Sequence, residues 1–248
     1  MSRSRLLVLL ALVASAWLVA AWFDLLPGGW RLRRALGRDE ARASYERHRA
    51  ERLAHFAGET SPPGAVVFLG SSTMERFDLA RWFPLATTLN RGLGNEPIAD
   101  LDARLLASVP AEARALVLYA GSVDFRRTGS ESSSAIADRV DSLLERLVEQ
   151  RPACELLLLG ILPERGMPQD RVAALTRLNA HLADHARARG ASFVDTGRPP
   201  LATDTGSLSE SFSCDPMHLA DEGYAVLADW IAEALPALRP QAASTSPR

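Results

Sequence analysis

The sequence contains no lysine: all 28 basic residues are arginine, and 30 acidic residues bring the net charge to −2. The arginines are dispersed among the acidic residues rather than gathered into a basic stripe. Nucleic-acid binding depends on concentrated positive charge that neutralises phosphates. We therefore expect no nucleic-acid partner.

Cysteine is also scarce, since the chain has only Cys154 and Cys214. Cys154 begins an apolar run that we interpret as a strand, whereas Cys214 belongs to a loop expected at the opposite end of the sheet. A strand of about seven residues separates those ends by roughly 20 Å, and a disulfide requires Cα atoms within ~7 Å of each other. Both cysteines are therefore predicted to be free thiols.

Metal-binding and phosphate-binding patterns are missing as well. Histidine, cysteine and acidic residues do not cluster at the spacing of a metal site, and no glycine-rich phosphate loop occurs. The sequence accordingly predicts a protein without a metal or cofactor, whose chemistry comes from its own side chains.

The amino terminus carries a long uncharged run. Leu6 to Phe23 includes a single polar residue, Ser15, and as a helix rising about 1.5 Å per residue it nearly spans a hydrocarbon core of about 30 Å. We predict an uncleaved membrane anchor that holds the rest of the chain outside the cytoplasm, in the periplasm or its equivalent, although Arg31, Arg33, Arg34 and Arg38 after the run favour the opposite orientation. Alternatively, Ala14-Ser15-Ala16 resembles a signal-peptidase site, and cleavage there would release a secreted protein.

The chain divides by composition into an anchor or signal segment over 1–29, a polar helical stalk over 30–62, a folded domain over 63–236 and a disordered tail over 237–248. Apolar runs and helical patterns alternate within the folded domain. Strands are expected at Ala65–Leu69, Thr87–Asn90, Ala115–Ala120, Cys154–Leu162 and Ala191–Val194, and helices at Ile98–Ser108, Ser133–Gln150, Asp170–Arg189 and Ala220–Leu235. This alternation predicts an α/β fold with a five-stranded parallel sheet and helices on both faces.

A serine follows the first strand of this sheet. The continuous apolar run of Ala65 to Leu69 is typical of a central parallel strand, and Gly70-Ser71-Ser72 ends it abruptly. In an open α/β sheet, ligands bind beyond the carboxyl ends of the strands. Ser72 is therefore our candidate nucleophile, the alternative being a serine-rich turn that only caps a helix.

A carboxylate and an imidazole follow the last strand. Pro216 disfavours helical backbone at Asp215, so Asp215 and His218 are expected to share one tight loop. From there the carboxylate can accept the Nδ1–H of His218, which leaves Nε2 free to take a proton. In this pair Asp215 orients the imidazole, and His218 is the base that a nucleophilic serine needs.

Four segments, in this order, resemble the motifs of the SGNH/GDSL hydrolase family. They are Gly70-Ser71-Ser72, Asn90-Arg91-Gly92-Leu93-Gly94, Leu118-Tyr119-Ala120-Gly121-Ser122-Val123-Asp124 and Asp215-Pro216-Met217-His218. The family's usual aspartate is Ser71 here. The resemblance implies a three-layer flavodoxin-like fold, catalysis by Ser72, Asp215 and His218, and substrate contacts from Gly94, Gly121 and Val123.

The resemblance also implies an oxyanion hole with a missing donor. Its backbone donors would be the N–H groups of Ser72 and Asn95, but the family's third donor, an asparagine side chain, is Val123 in this chain. Losing one such donor costs about 10²–10³ in turnover. Three explanations are open. The Asn95 carboxamide takes the position of the third donor, the substrate needs less stabilisation of its oxyanion, or the protein has lost hydrolysis.

We therefore predict a membrane-anchored serine hydrolase that cleaves or transfers the acyl group of a small-molecule, lipid or glycan ester. The alternative is a catalytically weak binding or accessory protein of the cell envelope that keeps the pocket. Arg126 and Arg127 could bind an anionic substrate at the rim of the site, or form a solvated pair. Asp124 is expected to brace its loop.

Overall fold

The computed structural model describes Ser15, Trp17 and residues 40–127 and 132–238. Contacts divide the chain into two compact units, Met1–Ala57 and Gly58–Arg248. The polar helix α1 (Glu40–Gly58) covers most of the predicted stalk. The predicted anchor and the predicted tail lie outside the described residues, apart from Ser15, Trp17 and the first two residues of the tail. Among the helices that are described, none combines the length and the apolar character needed to cross a bilayer.

The second unit is built on five parallel strands in the order β2-β1-β3-β4-β5. The strands are β1 (Val66–Gly70), β2 (Thr88–Gly92), β3 (Ala115–Tyr119), β4 (Glu155–Leu159) and β5 (Ser192–Val194). This order places β1, which leads to the candidate nucleophile, beside β3, which leads into the third motif, in the middle of the sheet. The predicted flavodoxin-like α/β fold is confirmed.

Helices connect the strands and cover both faces. They are α2 (Ser72–Glu75), α3 (Leu79–Trp82), α4 (Ile98–Ser108), α5 (Ser122–Arg127), α6 (Ser133–Gln150), α7 (Gln169–Ala188) and α8 (Asp221–Ala234), with 3-10 turns at Glu210–Phe212 and Pro236–Leu238. The predicted helices are confirmed to within one residue at each end, whereas the short helices α2, α3 and α5 were not predicted.

The core forms two layers because successive side chains of a strand point to opposite faces of the sheet. On one face Val67 and Leu69 pack with residues of α4, α6 and α7. On the other face Val66 and Phe68 pack with residues of α8. All five residues of β1 are buried, which explains why its sequence is continuously apolar rather than alternating.

The fourth strand is shorter than predicted. The apolar run from Cys154 to Leu162 suggested one strand, but the ladder covers only Glu155–Leu159. Ile161 and Leu162 are also buried, and the Leu162 N–H donates to the Tyr119 hydroxyl at 3.3 Å instead of to a neighbouring strand. The apolar pattern therefore indicates burial rather than strand structure, and the buried segment continues beyond the end of β4.

Candidate active site

Ser72 lies at the carboxyl edge of the sheet, where the sequence predicts it. Strand β1 ends at Gly70, Ser71 is the N-cap of α2, and Ser72 is the first helical residue and is half-buried. Helix α2 is held from both sides. The buried Tyr224 hydroxyl of α8 donates to the Thr73 carbonyl at 2.9 Å, and the Asn90 carboxamide of β2 donates to the Met74 carbonyl at 2.8 Å.

A hydrogen-bonded relay joins Ser72 to the loop before α8. The Ser72 Oγ lies 3.0 Å from His218 Nε2, and His218 Nδ1 lies 2.7 Å from Asp215 Oδ2. Because an ionised carboxylate only accepts, Nδ1 carries the proton and Nε2 is left to accept from the serine hydroxyl. The structure therefore brings the three predicted catalytic residues together in the order that nucleophilic catalysis requires.

The Asp215 carboxylate is fixed by its own loop. Its Oδ1 accepts from the backbone N–H groups of Met217 and His218, at 2.8 and 2.9 Å. Partial burial raises the pKa of Asp215, but the Met217 N–H and the His218 side chain outweigh it and lower the pKa to about 2. Arg76, the C-cap of α2, adds a guanidinium nitrogen 3.6 Å from Asp215 Oδ2. The carboxylate thus stays ionised and oriented at neutral pH.

The loop after β2 packs against α2. The Leu93 N–H donates to the Gly70 carbonyl at 2.8 Å, and the Gly94 N–H donates to the Glu75 carboxylate. A Cβ on Gly92 would lie 2.1 Å from the Glu75 backbone nitrogen, so only glycine allows this approach. The predicted oxyanion loop therefore runs alongside the helix that carries the nucleophile.

Asn95 has a backbone φ of 60°, a left-handed conformation that is rare outside glycine but tolerated by asparagine. The next residue, Glu96, is fully buried and forms a bidentate ion pair with Arg104 of α4. Arg104 also donates to the Arg91 carbonyl at 2.9 Å. This pair anchors both sides of the turn that presents the Asn95 backbone.

The loop after β3 carries no polar side chain at the position of the family's third donor. Val123 is 1% exposed and belongs to the core. Gly121 has a φ of 99°. Asp124 braces the loop as predicted, since it accepts from the Ile98 N–H at 2.9 Å and from Arg139 at 3.1 Å.

Ser71 replaces the aspartate that is usual beside the nucleophile. It is buried, and its Oγ lies 3.1 Å from the Ser122 Oγ. The two hydroxyls therefore link the segments that follow β1 and β3.

Sequence reasoning missed the polar groups that hold the site in place. They are Arg76 on Asp215, Tyr224 on Thr73, Arg104 on Glu96 and Arg127 on Asn95. No short motif marks them, because each joins residues from different elements. The left-handed turn could have been suspected from an asparagine within the Gly94-Asn95-Glu96 stretch.

Arg126 and Arg127 end α5 beside the site. An Arg126 guanidinium nitrogen lies 3.9 Å from Glu164, whereas Arg127 donates to the carboxamide oxygen of Asn95 at 3.1 Å.

Both cysteines are free, as predicted: Cys154 is buried and Cys214 is exposed. Within the part of the chain that the structure describes, no group of three or more histidine, cysteine or acidic side chains could hold a metal ion.

The sequence model of the GDSL-like lipase/acylhydrolase family matches residues 70–226, from the end of β1 into α8. A search of curated proteins finds no match.

Solved structures share the fold. A protein from Streptococcus pneumonia superposes with a TM-score of 0.69 at 19% identity, covering 82% of this chain and 98% of its own. A GDSL-like lipase from Bacteroides thetaiotaomicron gives 0.62 at 22% identity, covering 77% and 97%. A catalytic mutant of an acetylxylan esterase from Geobacillus stearothermophilus gives 0.56 at 14% identity, covering 71% and 96%.

Proposed function

Because the chain belongs to the GDSL-like lipase/acylhydrolase family, we propose that it hydrolyses an acyl ester with Ser72 as nucleophile, His218 as base and Asp215 as orienter. The observation that supports this most directly is the continuous relay, with 3.0 Å from Ser72 to His218 and 2.7 Å from His218 to Asp215.

The proposed reaction has two steps. His218 Nε2 takes the hydroxyl proton as Ser72 Oγ attacks the ester carbonyl, and the same proton then passes to the departing alcohol. This leaves an acyl group on Ser72. Water attacks the acyl-enzyme with His218 again as base, which releases the carboxylic acid and restores the serine. The backbone N–H groups of Ser72 and Asn95 are proposed to stabilise the oxyanion in both steps.

The substrate is proposed to be an ester of a small molecule, a lipid or a glycan. An alcohol in place of water would give acyl transfer by the same residues. We also propose that residues 1–29 anchor the enzyme to a membrane with its catalytic domain outside the cytoplasm, because Leu6 to Phe23 contains no charge. Full-length protein should then remain in the membrane pellet after a high-salt wash, and recovery of a soluble form that begins at Trp17 would contradict the anchor.

The test of function is hydrolysis of p-nitrophenyl acetate by wild type and matched variants. Ser72→Ala and His218→Ala should lose activity down to the level left by binding and the oxyanion donors. Ser142→Ala and His181→Ala, at exposed positions of α6 and α7, should behave as wild type. Equal activity of wild type and Ser72→Ala would reject the mechanism, and absence of activity in the folded wild type would favour the binding-protein alternative.

A further inference from the structure

Arg127, the last residue of α5, contacts Asn95 of the predicted oxyanion loop. Its Nη2 donates to Asn95 Oδ1 at 3.1 Å and reaches the Asn95 carbonyl oxygen at 3.5 Å. Within residues 40–127 and 132–238, no carboxylate pairs with this guanidinium. The Arg127 guanidinium therefore contacts a neutral residue of the predicted oxyanion loop instead of an acidic side chain.

This contact fixes the orientation of the Asn95 carboxamide. A guanidinium can only donate hydrogen bonds, so the atom facing Arg127 must be the oxygen. The Nδ2 amino group then points away from Arg127. Among the described residues no acceptor is hydrogen-bonded to Nδ2, and the side chain is exposed at the edge of the site. An oriented donor is thus left available to a ligand.

The backbone at Asn95 gives independent support. A φ of 60° favours glycine, and glycine would supply the same backbone N–H. The backbone N–H at position 95 therefore does not require an asparagine side chain. The turn lies against α2, since Leu93 bonds to Gly70 and Gly94 to Glu75. Asn95 therefore lies on a loop that contacts α2, the helix that begins at Ser72.

We propose that the Asn95 Nδ2–H is the third oxyanion donor, in place of the one that Val123 lacks, and that Arg127 is the positioning residue that holds it. This rests on the proposed hydrolase function. The positive charge of Arg127 also polarises the carboxamide, which strengthens donation from Nδ2 as negative charge develops on the carbonyl oxygen.

The experiment uses full-length protein and a neutral ester, p-nitrophenyl acetate, with Arg127→Met, Arg127→Lys and Asn95→Gly. Removing one oxyanion donor lowers kcat by about 10²–10³. We expect a loss of about 10- to 100-fold in kcat for Arg127→Met and Asn95→Gly, because the backbone donors remain, with little change in KM. Arg127→Lys should recover part of the loss, since it keeps a charged donor. Arg187→Met, at an exposed position of α7 paired with Asp184, is the control and should match wild type.

The double variant Asn95→Gly/Arg127→Met decides the mechanism. If Arg127 acts through Asn95, the double variant should be no slower than Asn95→Gly alone. Multiplying losses would overturn the proposal, as would an unchanged kcat in Arg127→Met. Should Arg127→Met fail to fold, Asn95→Gly still carries the test, because glycine adopts the required φ without strain.

The other role for Arg127, direct binding of an anionic substrate, gives a different result. It predicts a raised KM for a negatively charged ester such as a p-nitrophenyl hemisuccinate and normal kinetics with the neutral ester, and that pattern would overturn the positioning role. Activity retained in Ser72→Ala would reject the Ser72 mechanism on which this proposal rests. Loss in Ser72→Ala with full activity in Arg127→Met would reject only the role of Arg127.

Discussion

Breaking the buried ion pair between Glu96 and Arg104 should cost more stability than breaking an exposed ion pair of the domain. The Glu96 side chain is 0% exposed and that of Arg104 is 5% exposed. Arg104 Nε lies 2.7 Å from Glu96 Oε1, and a second nitrogen bonds to Oε2. Replacing Arg104 by methionine keeps most of the side-chain volume but leaves the Glu96 carboxylate buried without its arginine partner.

The expected cost of Arg104→Met is about 3–5 kcal/mol of unfolding free energy, the range found when one partner of a buried pair is removed. This cost includes the loss of the hydrogen bonds that Arg104 donates to the Arg91 carbonyl and to the Ser108 hydroxyl. By contrast, Glu96→Leu/Arg104→Met leaves no buried charge, so it should cost less than Arg104→Met alone. A wild-type stability of about 10 kcal/mol, the middle of the usual range, would leave a folded population to measure.

Urea unfolding followed by circular dichroism measures these free energies, and the four proteins of the double-mutant cycle give the coupling. A cost below about 1 kcal/mol for Arg104→Met, or a double variant less stable than either single one, would refute the reasoning. Activity gives a second readout: because the pair holds the turn at Asn95, Arg104→Met should lower kcat on p-nitrophenyl acetate in the fraction that stays folded.

Burial raises the pKa of Tyr224 above its ordinary value of 10.0, so the contribution of Tyr224 to stability is complete below pH 10 and declines above it. Urea titrations of Tyr224→Phe should therefore show a smaller loss of stability at alkaline pH. At pH 7 the same variant should lose about 1–3 kcal/mol of unfolding free energy, because the Thr73 carbonyl loses its hydrogen-bond donor. Burial raises the pKa of Cys154 to about 11, so iodoacetamide should alkylate exposed Cys214 and spare Cys154 in the native protein, as peptide mapping would show. Val123→Asn should raise kcat in the Asn95→Gly variant more than in wild type if both carboxamides serve one oxygen.

The fold was predictable because burial leaves a strong trace in sequence. The continuous apolar residues of β1 lie between helices on both faces of the sheet, and alternation with helical patterns implied parallel order. Strand ends were less predictable, since Ile161 and Leu162 stay buried after leaving the ladder.

The relay was predictable for a similar reason. Ser72, Asp215 and His218 each follow the carboxyl end of a strand, and those ends meet at one edge. The supporting contacts were not predictable. Nothing local distinguishes Arg104 among 28 arginines, and the position of Arg127 after the third motif indicated the rim of the site but not its contact with Asn95. Their partners are fixed by the packing of separate elements, which no spacing rule records.

Labelling with a fluorophosphonate probe tests the central claim most directly, because it requires an activated serine but no knowledge of the natural substrate. The relay predicts that wild type gains the mass of one phosphonyl group on the peptide containing Ser72, that Ser72→Ala and His218→Ala gain none, and that Ser142→Ala is labelled like wild type. Labelling of Ser72→Ala to the same extent as wild type, or failure of the folded wild type to react, would contradict the account.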